Sequence, residues 1–182
     1  FKHEFADWQR WWARAVVLAI AAAAGLTVVG FTWLTEHALR LFFDLHAVWW
    51  WAPLLLTPLS AAAIVWITRR FAAGAAGSGI PQVMAALEPS VDASQRGLFV
   101  SIRLTLAKII LTTWGLLAGL SLGREGPSVQ IAAGIMLSAR RWLPQRSSVT
   151  EHGLLVAGGA AGIAAAFNTP LAGVMFAIEE LS

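Results

Sequence analysis

The sequence predicts an all-α, polytopic membrane protein built of tilted and broken helices, and three observations predict it. Uncharged runs are long: 21 residues at 15–35, 22 at 47–68 and 26 at 153–178. About twenty apolar residues cross the hydrocarbon core of a bilayer. The composition agrees, with 58% hydrophobic residues, 13% charged residues and a mean hydropathy of +0.67, whereas soluble domains carry about 25% charged residues. Third, Gly/Pro elements interrupt the apolar stretches at 77–81, 123–127 and 168–170. Broken helices at membrane depth persist only where the backbone is buried or lines a cavity. Half-helix termini at such breaks build ion and substrate sites in transporters.

In chain order, the pattern predicts a first helix over 8–43, long enough to cross at a tilt. A second covers 50–70, entered through Pro53, with Pro58 a candidate kink. Residues 72–79 are too rich in glycine to continue it. A short helix follows Ile80-Pro81 to Leu87, and Glu88-Pro89-Ser90-Val91-Asp92 is a polar break. A helix is expected over 97–120, and the Gly123–Pro127 break separates it from another that starts at the proline and runs to Trp142. A polar connection fills 143–150. The Ala/Gly-rich stretch 151–167 suits close helix packing, and Asn168-Thr169-Pro170 separates it from a last helix over 171–181.

The net charge is +3 and the pI about 10.6. Lys2, Arg10, Arg14, Arg69, Arg70, Arg96, Arg140, Arg141 and Arg146 lie at helix ends and in connections, not in a stripe, which argues against nucleic acid as a partner. Residues 41–51 hold no Lys or Arg, so the positive-inside rule puts them outside and the N-terminus in the cytoplasm. Trp8, Trp11, Trp12, Trp49-Trp50-Trp51 and Trp142 fall near span ends as interfacial anchors. With no cysteine, disulfides and thiolate metal sites are excluded. The four histidines have no ligand spacing, so no metal is expected. No nucleophile–base pair or phosphate loop argues for an enzyme. The chain opens on Phe1 and closes on Ser182 after an apolar run, and reads as a single transmembrane piece, 1–182, of a longer protein.

Chemistry concentrates at the breaks. Gly123-Arg124-Glu125-Gly126-Pro127 puts opposite charges between uncharged runs of 15 and 14 residues. Ionisable groups are expensive at that depth, and a pair flanked this way is a functional-site hypothesis. Glu125, at a helix N-terminus, occupies the place an anion would take. It is a candidate gate and proton acceptor, or a capping carboxylate paired with Arg124. Gly77-Ser78-Gly79-Ile80-Pro81 offers close backbone approach, a hydroxyl and a helix N-terminus without a cation. This suits a small, weakly held anion, since conduction needs release as well as capture; Ser78 also fits a plain helix cap. Glu179 and Glu180 oppose the dipole of the helix they end, as a functional pair or a solvated end. Lys108, a lone cation in an apolar stretch, either snorkels or biases the interior towards anions.

Gly77 to Pro81, Gly123-Arg124-Glu125-Gly126-Pro127-Ser128-Val129-Gln130 and Phe167-Asn168-Thr169-Pro170-Leu171-Ala172-Gly173, followed by Ile178-Glu179-Glu180, resemble the signature segments of the CLC chloride channels and proton–chloride antiporters. The likeness covers nearly the whole chain. It implies an inverted-repeat fold whose first half is present here, and a chloride site at Gly77, Ser78, Gly79, Ile80, Pro81, Gly123, Arg124, Glu125, Gly126 and Pro127. It further implies that Ser78 coordinates the central chloride, that Glu125 is the external gating and proton glutamate, and that Glu180 passes protons on the inner side. Lys108 resembles the family's lysine near the pathway. Serine between the two glycines is the chloride-type choice, proline the nitrate-type one. The second half's Gly-x-Phe-x-Pro segment and tyrosine are not here. The resemblance also implies a homodimer with one pathway per subunit, in the plasma (inner) membrane of a bacterium, with chloride the bound ion and no other cofactor.

The expected activity is proton-coupled chloride antiport. The rivals are a passive channel of the same fold, which tends to carry an apolar residue at the place of Glu180, and a truncated membrane protein that transports nothing.

Overall fold

The computed structural model describes residues 2–143 and 149–181, and these form helices, turns and no strand. The eight α-helices are α1 (Lys2–Val48), α2 (Ala52–Phe71), α3 (Ile80–Leu87), α4 (Ala93–Arg96), α5 (Ile102–Leu117), α6 (Glu125–Ser138), α7 (Glu151–Phe167) and α8 (Pro170–Glu180). Two helical stretches, Trp11–Val48 within α1 and Ala52–Phe71 in α2, are long and apolar enough to cross a membrane. Arg146, in the connection before α7, lies outside the described residues.

The centre is α6. Gly126 to Gly134 are all buried, because α1, α5 and α7 surround it. On α1 the buried residues Ala24, Val28, Phe31, Thr35 and Ala38 recur every three or four positions, the stripe of a helix with one packed face. Leu18, Leu26, Val29 and Trp33 face outward and are exposed, as a lipid-facing side would be. At 47 residues and 1.5 Å per residue α1 is about 70 Å long, more than twice a hydrocarbon core.

Small residues set the tightest packing. A side chain at Gly158 or Gly162 of α7 would run into the backbone of Ala133 or Val129, so this G-x-x-x-G pair lets α6 and α7 approach closely. Gly173 of α8 likewise abuts the Ala160 carbonyl of α7.

Helix bounds differ from the sequence expectation in several places: α1 runs over 2–48 and not 8–43, α6 ends at Ser138 and not at Trp142, and three further differences have a visible cause. The helix expected over 97–120 is shorter at both ends. Residues 97–100 turn back on α4 through bonds such as Val100 N–H to the Arg96 carbonyl (2.9 Å). Ser101, extended at φ −158°, then caps α5 by accepting from Leu104 N–H. At the far end Gly119 sits at φ +82°, and Leu120 N–H reaches the Gly115 carbonyl at 2.9 Å; this glycine-based stop satisfies the last carbonyls. The third difference is that α6 starts at Glu125, with Pro127 its third residue, not at the proline. The first N–H groups of a helix have no internal acceptor, so a proline there forfeits nothing. The stretch 151–167 is helical as expected, opened by Thr150, whose hydroxyl accepts from Gly153 N–H at 3.0 Å, and closed by Asn168 at φ 53°. Residues 139–141 form a 3₁₀ turn beyond α6.

Candidate functional site

Two of the three breaks meet. Gly79, at φ +115°, lies directly against the carbonyl of Gly126, and Gly126 lies against the carbonyl of Ser78. A Cβ at either glycine would occupy the other segment's backbone. Only glycine permits both the approach and the left-handed φ. The contact brings the N-termini of α3 and α6 together and puts Ser78 beside the first turn of α6.

The loop that carries Ser78 is held from behind. Four successive carbonyls are each taken by a side chain: Gly74 by Gln130 Nε2 (2.8 Å), Ala75 by Lys108 Nζ (2.9 Å), Ala76 by Gln82 Nε2, and Gly77 by Lys108 Nζ again (2.6 Å). Gln130 also donates to the Phe99 carbonyl at 2.8 Å. Lys108 is 3% exposed and Gln130 1%. Lys108 therefore does not snorkel; it points inward and binds the loop. The peptide units whose carbonyls go to Gln82 and Lys108 present the N–H groups of Gly77 and Ser78, and neither N–H has a partner among the described residues. Gly79 N–H is capped by Gln82 Oε1 at 2.9 Å. Ile80 and Gln82 N–H, in the first turn of α3, have no intrahelical acceptor, and Pro81 has no N–H.

Ser78 is exposed and its hydroxyl makes no hydrogen bond among the described residues, so it does not cap α3. Glu125 is also exposed. Its carboxylate folds back over Gly123, where an added Cβ would meet Oε2 at 2.9 Å, and has no ion-pair partner among the described residues. The alternative of a carboxylate paired with Arg124 does not hold: the Arg124 guanidinium reaches across to Glu36 of α1 at 3.3 Å. With 38% and 47% of the two side chains exposed, that pair adds little stability.

Glu179 and Glu180 end α8, both exposed. The chain then turns Leu181 inward, where it meets Val129 of α6 over Gly159. Among the described residues no hydrogen bond or glycine contact ties the third break, Asn168 to Pro170, to the first two. Among the described residues no three His, Asp or Glu side chains gather to hold a metal. Sequence reasoning missed Gln82 and Gln130 as braces. A signal for Gln82 was available, since a glutamine three residues after an N-cap is half of a capping box.

The class of protein is thus a helical bundle in which two broken helices meet N-terminus to N-terminus over glycine. Residues 60–182 match the family described as voltage gated chloride channel. The chain is 37% identical over 165 residues to the H(+)/Cl(-) exchange transporter ClcA of Cronobacter sakazakii, covering 87% of this chain and 34% of that one. It is 36% identical over 169 residues to ClcA of Citrobacter koseri (89% and 34%), and 35% identical over 169 residues to ClcA of Klebsiella pneumoniae (89% and 34%). No solved structure matches it. The chain belongs to the voltage gated chloride channel family, and its all-helical fold is that family's membrane fold. It spans about a third of the length of the curated relatives it matches.

Proposed function

We propose that this chain is the first inverted repeat of a proton-coupled chloride exchanger, in the inner membrane of a bacterium with its N-terminus in the cytoplasm. The intact protein is a homodimer whose second repeat completes each chloride site. The observation that carries the reading is the Gly79–Gly126 backbone contact. It puts Ser78 beside the first turn of α6, the helix that Glu125 opens, which supports a shared anion site for the Ser78 hydroxyl, the N–H groups of Gly77 and Ser78 and the N-terminus of α6. Fixed dipoles without a full positive charge at the ion suit an anion that must leave again. The name of the relatives, H(+)/Cl(-) exchange transporter, supports the same reading.

In this mechanism chloride takes its donors from Gly77 to Pro81 and from the helix end at Gly123 to Pro127. Ionised Glu125 competes with chloride for the N-terminus of α6. Protonation removes the competing charge and lets the side chain leave. Arg124, tied to Glu36, positions the turn and does not touch the ion. Lys108 holds the filter loop and supplies a positive potential at a distance. Glu180 exchanges protons between Glu125 and the cytoplasm.

The test is reconstitution of the intact transporter, with chloride and pH electrodes read together. Glu125→Gln keeps chloride flux and stops proton flux. Proton-driven chloride uptake surviving in Glu125→Gln liposomes removes the gate assignment. Chloride flux without proton coupling in the unmodified protein replaces the exchanger with a passive channel.

A further inference from the structure

A cavity of about 300 Å³ lies away from the Ser78 loop, between the start of α5, the end of α6 and the start of α7. Ser94, Ser101, Ser138, Arg140, Arg141 and Glu151 are among its lining. It opens at the end of the bundle where positive charge gathers. Arg69 and Arg70 close α2 there, since Ala72, just beyond them, packs with Leu104 in the first turn of α5.

The charges of this cavity do not cancel. Among the described residues Glu151 is the only carboxylate in the lining, and it is already engaged twice, by Arg96 at 2.8 Å and by Arg140 at 3.7 Å. Arg141 has no ion-pair partner among the described residues. Arg96 Nε is buried without a hydrogen-bond partner. The α5 N-terminus adds to the surplus: Ser101 and Ile102 form part of the wall, and N–H groups of that first turn have no internal acceptor. Ser101 Oγ accepts from Leu104 N–H, which leaves its proton to give.

We propose that this cavity binds the phosphate of an anionic phospholipid. Guanidinium forks and hydroxyls match the oxygens of a phosphodiester, and the space is far larger than one halide needs. Basic pockets between membrane helices on the cytoplasmic side take such headgroups. The surroundings favour a lipid over a phosphate from solution. Leu98, Ile102 and Trp142 flank the polar walls and are exposed, an apolar border for acyl chains beside an aromatic interfacial anchor. The inference needs α5, α6 and α7 to lie in the bilayer and does not depend on which ion is transported.

The test uses the intact protein in mild detergent and reads no ion flux, so its failure is separate from failure of the transport reading. Native mass spectrometry follows bound lipid during titration with phosphatidylglycerol and, in parallel, phosphatidylcholine; a third titration uses inorganic phosphate and follows the unfolding temperature. Phosphatidylglycerol is expected to be retained over phosphatidylcholine, and retention to fall about five-fold for each arginine removed, the weight of one basic side chain at an anionic surface. The variants are Arg140→Gln/Arg141→Gln and Arg141→Gln alone; the single variant leaves both ion pairs of Glu151 intact and guards against misfolding. Stabilisation by inorganic phosphate that depends on the same arginines, without selective lipid retention, keeps the phosphate site and assigns its ligand to solution. Equal retention of the two lipids, or adducts and unfolding temperatures that Arg141→Gln and the double variant leave unchanged, overturns the proposal.

Discussion

The breaks at 72–79 and at 168–170 look alike as sequence, each a small-residue or turn-forming stretch before a proline that opens a helix. They are held in different ways. The first is braced by residues from three helices, with four successive carbonyls bound to Gln130, Lys108 and Gln82 and a glycine contact to α6. The second is a local turn: Asn168 sits at φ 53°, Thr169 N–H reaches the Ala164 carbonyl at 3.1 Å, and residues 167–170 are exposed. A break that positions a ligand loop needs support from elsewhere in the fold, while one that only reverses direction needs a residue that tolerates the left-handed region.

That contrast ranks the effects of substitution. The largest belongs to Gly79→Ala, where a methyl group meets the Gly126 carbonyl and the backbone must also hold a left-handed φ. The expected cost in stability is about 2–4 kcal/mol from strain and overpacking, and chloride flux through the intact transporter should fall, because the two helix N-termini are pushed apart. Flux and unfolding temperature close to those of the unmodified protein would break the claim that the two N-termini are in backbone contact.

Lys108→Met comes next. It leaves the buried Ala75 carbonyl unpaired, at about 1–3 kcal/mol, and takes a donor from the part-buried Gly77 carbonyl. Detergent-solubilised protein should unfold at a clearly lower temperature, and chloride affinity by calorimetry should drop with it. Gln130→Leu should lie somewhat below, through Gly74 and Phe99. If Gln130→Leu melted like the unmodified protein, the bracing would reduce to Lys108 and Gln82.

At the second break effects are small. Asn168→Val should cost about 1–2 kcal/mol, because a β-branched residue resists the left-handed region, and Asn168→Gly should change stability by less than about 0.5 kcal/mol. Arg124→Gln belongs to the same range, under about 1 kcal/mol, because its pair with Glu36 is half exposed. Unfolding scans of these variants sharpen the comparison. Should Asn168→Val prove as damaging as Lys108→Met, the distinction between a braced and a local break would be lost.

The same contrast explains what was legible in the sequence. Gly, Pro and Asn signals act over a few residues, so the positions of the breaks and the bounds of α7 could be read directly. The stop at Gly119 and the cap at Ser101 were legible in kind but were hidden inside an apolar run that looked continuous. The pairing of Arg124 with Glu36 spans 88 residues of sequence, and the bonds of Lys108 and Gln130 to the loop span 31 to 56. No local pattern encodes these. Charge adjacency left a pairing of Arg124 with Glu125 as one of two readings. But Glu125 opens α6 with its carboxylate folded over Gly123, and the Arg124 side chain extends to α1 instead.

The four bound carbonyls carry a further consequence, concerning the sign of the charge admitted. A peptide unit can rotate in place, exchanging the directions of its C=O and its N–H, and such a flip beside Ser78 would turn an anion's donor into a cation's acceptor. Lys108 and Gln82 hold the carbonyls of Gly77 and Ala76, so each flip would abandon a hydrogen bond from a buried ammonium or from the capping glutamine. On the proposed reading, exclusion of cations is therefore enforced partly by side chains that never meet the ion. It rests on denying the filter backbone its other orientation.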